Sequence, residues 1–149
     1  MTHAHWMALA IDQANLAAEQ GEVPVGAVLV NNATQELIGS AHNECEQRND
    51  PTAHAELLLL QSASSKIDLL HSDLTLYVTL EPCPMCAGAI VQSRVRRVVY
   101  GADDPKAGAA GSVVNLLTHP RLDFRAEVIA GIREEDCSQL LKQFFQRRR

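Results

Sequence analysis

Apolar residues at Met7, Ala10, Ile11, Ala14 and Ala18 recur at i, i+3, i+4, i+7 and i+11, the spacing of one helical stripe. The pattern predicts a helix over residues 3–20, with Gly21 as its stop. Val25-Gly26-Ala27-Val28-Leu29-Val30 is an apolar run of strand length, as expected of a strand covered on both faces. Asn31-Asn32 opens a hairpin turn into a second strand around 37–41, so this pair should be antiparallel. A polar loop then runs to Asp50-Pro51-Thr52, and a helix is expected over about 54–62. Leu74, Leu76, Val78 and Leu80 alternate with Thr75, Tyr77 and Thr79, the period of a strand. Pro84 suits the first position of a helix running from about Cys83 to Ser93. Further strands are expected at 97–100 and 125–129. A last helix over 134–147 carries Cys137, Leu140, Leu141 and Phe144 as its stripe, acids at its start and arginine at its end. Helices alternating with strands predict a three-layer α/β/α sandwich around a mixed sheet of about five strands.

Composition leaves this picture standing. The chain has 149 residues, 46% of them hydrophobic and 21% charged, which excludes a disordered or fibrous protein. A chain of this size buries roughly 68–70% of its unfolded surface, and a single domain over residues 1–149 is expected. Its apolar runs, such as Leu57–Leu60, fall far short of the ~18–20 residues of a membrane span. The start, Met1-Thr2-His3-Ala4-His5-Trp6, lacks the features of a signal peptide, so a cytoplasmic location is expected.

Charge complicates the picture. The net charge of −5 argues against a polyanionic partner, yet its distribution is uneven. Residues 1–90 hold two basic and eleven acidic side chains, whereas residues 91–149 hold eleven basic and seven acidic ones. That asymmetry points to a polyanion bound by the surface of residues 94–149. Cations answering the dipole of the last helix explain part of it equally well.

The chemistry is concentrated in His54-Ala55-Glu56 and Pro82-Cys83-Pro84-Met85-Cys86. Cys83 and Cys86, three apart at a helix start, can share one face, and a helix N-terminus favours the thiolate. One histidine and two thiolates make the ligand set of a catalytic zinc, with the fourth position open to water. His71, His119 and Cys45 stay open as a fourth ligand of a structural site, while Cys137 has no spacing partner. Inside a helix, residues two apart diverge by about 200°, so His54 and Glu56 can serve one metal only off the first turn. Glu56 would then take a proton from the zinc-activated water and return it to a leaving group.

Four segments carry a family resemblance: 22–28 (Glu-Val-Pro-Val-Gly-Ala-Val), 50–56 (Asp-Pro-Thr-Ala-His-Ala-Glu), 76–89 around Glu81-Pro82-Cys83-Pro84-Met85-Cys86, and 101–112, ending Gly108-Ala109-Ala110-Gly111-Ser112. The chain resembles bacterial tRNA-specific adenosine deaminases of the TadA type, in the cytidine-deaminase-like fold, over nearly its whole length. The H-x-E…P-C-x-x-C element is shared by zinc deaminases at large, while the first and last segments are those of the tRNA branch. The resemblance implies hydrolytic deamination of the wobble adenosine in a tRNA anticodon loop to inosine, with water attacking C6. It assigns one Zn2+ per subunit to His54, Cys83 and Cys86 and the proton shuttle to Glu56. It assigns substrate contacts to Asn43, which would read the base edge, and to the amides of Ala55 and Cys83. It adds Asp104 and Lys106 on a loop near the nucleotide, Phe145 and Arg147 on the last helix, and a homodimer. The hairpin over 31–37 is slightly longer than usual in the family, and His42 stands where members often carry a large aromatic.

Two other readings share these residues. A deaminase of a free nucleobase or nucleoside, such as guanine or cytosine, would use the same zinc site and differ in what closes the pocket. A non-catalytic zinc module that binds RNA or a partner would have no use for Glu56.

Overall fold

The computed structural model describes residues 1–148. Its helices are α1 (His3–Glu19), α2 (Cys45–Arg48), α3 (Ala55–Ala63), α4 (Pro84–Gln92) and α5 (Glu134–Arg147), and its strands are β1 (Gly26–Asn31), β2 (Glu36–His42), β3 (Leu74–Leu80), β4 (Arg97–Ala102) and β5 (Glu127–Ile129). One mixed sheet holds the strands in the order β2-β1-β3-β4-β5. β1 is antiparallel to both β2 and β3, whereas β3, β4 and β5 run parallel.

Periodicity explains the layers. Ala27 and Leu29 of β1, Leu74, Leu76 and Val78 of β3, and Val98 and Tyr100 of β4 face α3 and α4. The alternate residues, Val28, Val30, Tyr77 and Val99, face Trp6, Met7, Ala10 and Ile11 of α1 and Cys137 of α5. Two apolar cores therefore flank the sheet, which makes the α/β/α sandwich expected from the sequence. Its central strands are buried on both faces, and this is why β1 reads as a continuous apolar run.

The packing of α1 on β1 is close enough to dictate a residue. A Cβ on Gly26 would lie 2.0 Å from the Ala10 carbonyl oxygen, so only glycine fits there. The buried stripe of α1 runs from Trp6 through Ala14 to Ala17, with Ala17 rather than Ala18 buried at its end.

The short helix α2 lies in the segment read from sequence as a polar loop, because four residues carry no periodicity. β5 pairs with β4 only over Glu127–Ile129, shorter than expected, and β4 continues to Ala102. No helix among the described residues is long and apolar enough to cross a membrane.

Direction matters most for function. The carboxyl ends of the parallel strands β3 and β4 lie side by side, with Leu80 opposite Ala102. Crevices at such ends are where open α/β sheets bind ligands.

Candidate active site

Two helix N-termini converge on that crevice. His54 is the N-cap of α3 and Cys83 the N-cap of α4, both with extended backbone, and Pro84 follows Cys83 at the first helical position. Lying outside the helix, His54 escapes the angular divergence that separates interior residues two apart, and it lines the same cavity as Glu56. The Cys83 and Cys86 sulfurs lie 3.5 and 3.6 Å from His54 Nδ1. In a tetrahedral zinc site with Zn–S about 2.3 Å and Zn–N about 2.0–2.1 Å, nitrogen and sulfur ligands stand about 3.5 Å apart. The donor set and its spacing therefore fit zinc.

Among the described residues no fourth histidine, cysteine or acid joins this group. His71 bonds Asp68 on the surface, His119 accepts from the Arg121 amide, and Cys45 lines the cavity outside the ligand cluster. Three ligands with an open side match a catalytic rather than a structural site.

The electrostatics are those of thiols ready for a cation. Hydrogen bonds to Cys86 and to His54 hold the Cys83 thiol at about 4, overcoming the opposing effect of burial. The same contact with Cys83, together with burial and the nearby Glu56, pushes Cys86 up. A divalent cation bound between the two thiols would favour the thiolate of both. The hydrogen bond to Cys83 raises His54. Burial pushes the Glu56 carboxyl up to about 7, and a bound cation would act in the opposite direction.

A cavity of about 260 Å³ opens in front of this group, lined in part by Val23, Asn43, Glu56, Leu80, Asp104 and Ala107. Asn43 Oδ1 accepts the Ala55 N–H at 2.8 Å. An amide N–H can only donate, so this bond fixes the orientation of the side-chain amide and leaves Nδ2 as its free donor. The Ala55 amide, assigned to substrate by the resemblance, is engaged by Asn43, and Ala55 itself is fully buried and absent from the cavity wall.

Asp104 lines the cavity while its carboxylate accepts from the amides of Lys106 and Ala107. Lys106 is exposed beyond the wall. Phe145, half exposed, lies with Val23, Asn43, Cys45 and Arg148 around a smaller adjacent cavity of about 130 Å³. Arg147 lies further out, on a groove between α1 and α5.

The basic half of the chain is not one surface. Arg94, Arg96 and Arg97 sit before or at the start of β4, roughly 17 Å from its carboxyl end at about 3.3 Å per residue. They pair there with Asp123, Asp73 and Glu127. The expectation that residues 94–149 present a common positive surface therefore fails for these three arginines.

Two buried acids carry structural weight that their sequence positions do not announce. Glu22 accepts from the amides of Glu46 and Gln47 in α2 at 2.9 and 2.8 Å. Glu81 accepts from the amides of Asp104, Ala110 and Ser112 and from the Ser112 hydroxyl. Burial alone would raise the Glu81 carboxyl, but these hydrogen bonds outweigh it and hold it below the usual carboxylate range.

Comparison with known proteins places these features in a family. Residues 1–149 match the MafB19-like deaminase family. The chain is 50% identical over 141 residues to the tRNA-specific adenosine deaminase of Bacillus subtilis, covering 94% of this chain and 86% of that protein. It is 47% identical over 146 residues to its counterpart in Haemophilus influenzae, with coverage of 96% and 83%. A solved structure from a study of A-to-I editing by tRNA:A34 deaminases at the wobble position of transfer RNA superposes with a TM-score of 0.85 at 40% identity, over 92% of this chain and 99% of that one. The guanine deaminase of Nitrosomonas europaea shares the fold, with a TM-score of 0.82 at 22% identity over 95% of this chain and 83% of that one. The chain belongs to the family of bacterial tRNA-specific adenosine deaminases.

Proposed function

We propose that this protein hydrolyses the wobble adenosine of a tRNA anticodon loop to inosine, with release of ammonia. The observation that carries the reading is the three-ligand group His54, Cys83 and Cys86, of which His54 and Cys83 line one cavity with the buried carboxyl of Glu56. The chain's 50% identity to a tRNA-specific adenosine deaminase supports the substrate.

A zinc ion held by His54 Nδ1 and the two sulfurs would supply an activated water as the nucleophile for C6 of adenine. Glu56 takes the proton from that water and delivers it to the departing amine, so adenosine and water become inosine and ammonia. Glu56, 4% exposed and lining the cavity with His54 and Cys83, carries that proton away from bulk solvent. Asn43, its Oδ1 committed to Ala55, presents Nδ2 to a ring-nitrogen acceptor on the base edge. The Cys83 amide contributes to the wall at the reacting carbon, and Asp104 forms part of the same wall.

Outside the pocket, Phe145 offers a stacking face to a flanking base, while Lys106 and Arg147 approach phosphates. A loop nucleotide enters such a pocket without the cost of opening a duplex. The protein acts as a homodimer in this reading. Exposed Leu122, which lines a cavity with Gly88 and Gln92 of α4, and exposed Val113 and Val114 supply the apolar surface for a second copy.

The test is deamination by the zinc-loaded protein of an anticodon stem-loop with adenosine at the wobble position. The same loop with that base moved, and free adenosine, guanine and cytosine, serve as comparisons. Inosine only in the first substrate supports the reading. Turnover of a free base with RNA untouched keeps the zinc chemistry and replaces the substrate.

A further inference from the structure

Residues 103–112 cross the mouth of the cavity with no helix or strand between Ala102 and Ala109 to shape them. Asp104 and Ala107 of this loop form cavity wall. Within the loop Asp104 accepts from the Lys106 and Ala107 amides, and Glu81 joins its two ends. Glu81, 2% exposed, sits between the end of β3 and Pro82-Cys83. Its Oε1 accepts from the Asp104 amide at 3.0 Å and the Ser112 hydroxyl at 2.5 Å. Its Oε2 accepts from the amides of Ala110 and Ser112 at 2.9 and 3.1 Å.

The loop closes around the carboxylate so tightly that a Cβ on Gly108 would lie 2.3 Å from its carbon. The Ala109 amide donates to the Pro82 carbonyl at 2.8 Å, a second tie between the loop and the segment that carries Cys83. Burying a carboxylate is expensive unless every oxygen is satisfied, and here all four bonds go to a single loop. Apolar packing would hold such a loop with latitude. A carboxylate bound at two ends of the loop fixes its path.

We propose that Glu81 is a positioning residue, which through the 104–112 loop sets the cavity wall that aligns the base against Glu56. The inference rests on the deaminase reading above for what the wall aligns, but the clamp itself does not. Misplacing a reacting group by about 1 Å costs on the order of 100-fold in rate. Affinity for RNA is dominated by contacts to the backbone outside the pocket. Loss of the clamp should therefore lower kcat and leave KM nearly intact.

The test compares Glu81→Gln, Ser112→Ala and Ser112→Thr in the zinc-loaded protein. Glu81→Gln keeps the shape but turns one acceptor into a donor facing the amides. It should lower kcat on the wobble stem-loop about 30-fold, with KM within about threefold and one zinc retained per chain. Ser112→Ala, which removes one of the four bonds and keeps the carboxylate with its three amide partners, should show a smaller loss of kcat, and Ser112→Thr should restore it. Amide exchange at Asp104, Ala110 and Ser112, read without substrate, should quicken in Glu81→Gln and, less, in Ser112→Ala. Unchanged kcat in both variants overturns the proposal, as does loss of zinc in parallel with kcat, or exchange no faster than in the parent. If the parent leaves the stem-loop untouched, the substrate reading fails while amide exchange still decides the clamp.

Discussion

Glu56 is the residue on which the chemistry turns. It is buried at the second position of α3, beside a ligand group that includes the N-cap residue of the same helix. Glu56→Ala removes the proton carrier and touches no metal donor. The variant should retain one zinc per chain by elemental analysis and lose at least 100-fold in kcat, the scale of general acid–base catalysis. Survival of activity would reassign the shuttle. At this scale the sequence was informative where residue type and spacing announce chemistry, as with His54, Cys83 and Cys86. It was silent where an acid serves structure. Glu22 and Glu81 fall within the segments that carry the family resemblance, yet nothing local marks them as buried, because glutamate is almost never fully buried unless paired. Their partners are backbone amides 23 to 31 residues away in Glu81 and 24 to 25 in Glu22, which no local pattern encodes.

At the scale of elements, α5 is held to the sheet by a thiol. Cys137, the buried residue of that helix, packs where a Cβ on Gly101 of β4 would lie 2.4 Å from its sulfur. Burial pushes the thiol up to about 11 from its ordinary 9.0. A folded-state value above the unfolded one gives stability that is complete below about pH 9 and lost as pH rises through about 11. The loss amounts to at most about 3 kcal/mol. Denaturant midpoints of the parent should fall more steeply over that window than those of Cys137→Ala, and parallel slopes would refute the assignment. Amphipathic elements such as α1 and α5 were legible because one face meets the core and the other meets water. The double burial of β1 was legible as an apolar run, whereas in β3 the alternation with Thr75, Tyr77 and Thr79 did not announce that these residues are buried too. The helix α2 and the brevity of β5 were not, since α2 is one turn held from outside by Glu22 and β5 is an edge limited by its pairing with β4.

Across the whole molecule, charge is sorted by strand direction. Arg94, Arg96 and Arg97 lie at the amino end of β4, away from the site, whereas Arg147 lies near the end of α5, on the groove it forms with α1. Arg148 stacks on Phe144 at 4.3 Å and donates to the Gly21 carbonyl, so it tethers the helix end. Arg147 is thus the cleaner probe of RNA contact. Arg147→Glu should weaken stem-loop binding and flatten its salt dependence by about one phosphate contact, whereas Arg96→Glu should leave both alone. Equal effects of the two would show that binding follows net charge alone. The homodimer predicts a sedimentation profile of two chains at micromolar concentration, and a monomer there would remove it.

The most direct measurement is inosine formation by the zinc-loaded protein on an anticodon stem-loop with wobble adenosine, set against the displaced-base loop and free adenosine, guanine and cytosine. Membership of the tRNA deaminase family, at 50% identity to one member, predicts inosine in the first substrate and in none of the others. Deamination of a free base with the stem-loop unchanged would contradict the central claim and assign the same site to a small-molecule substrate.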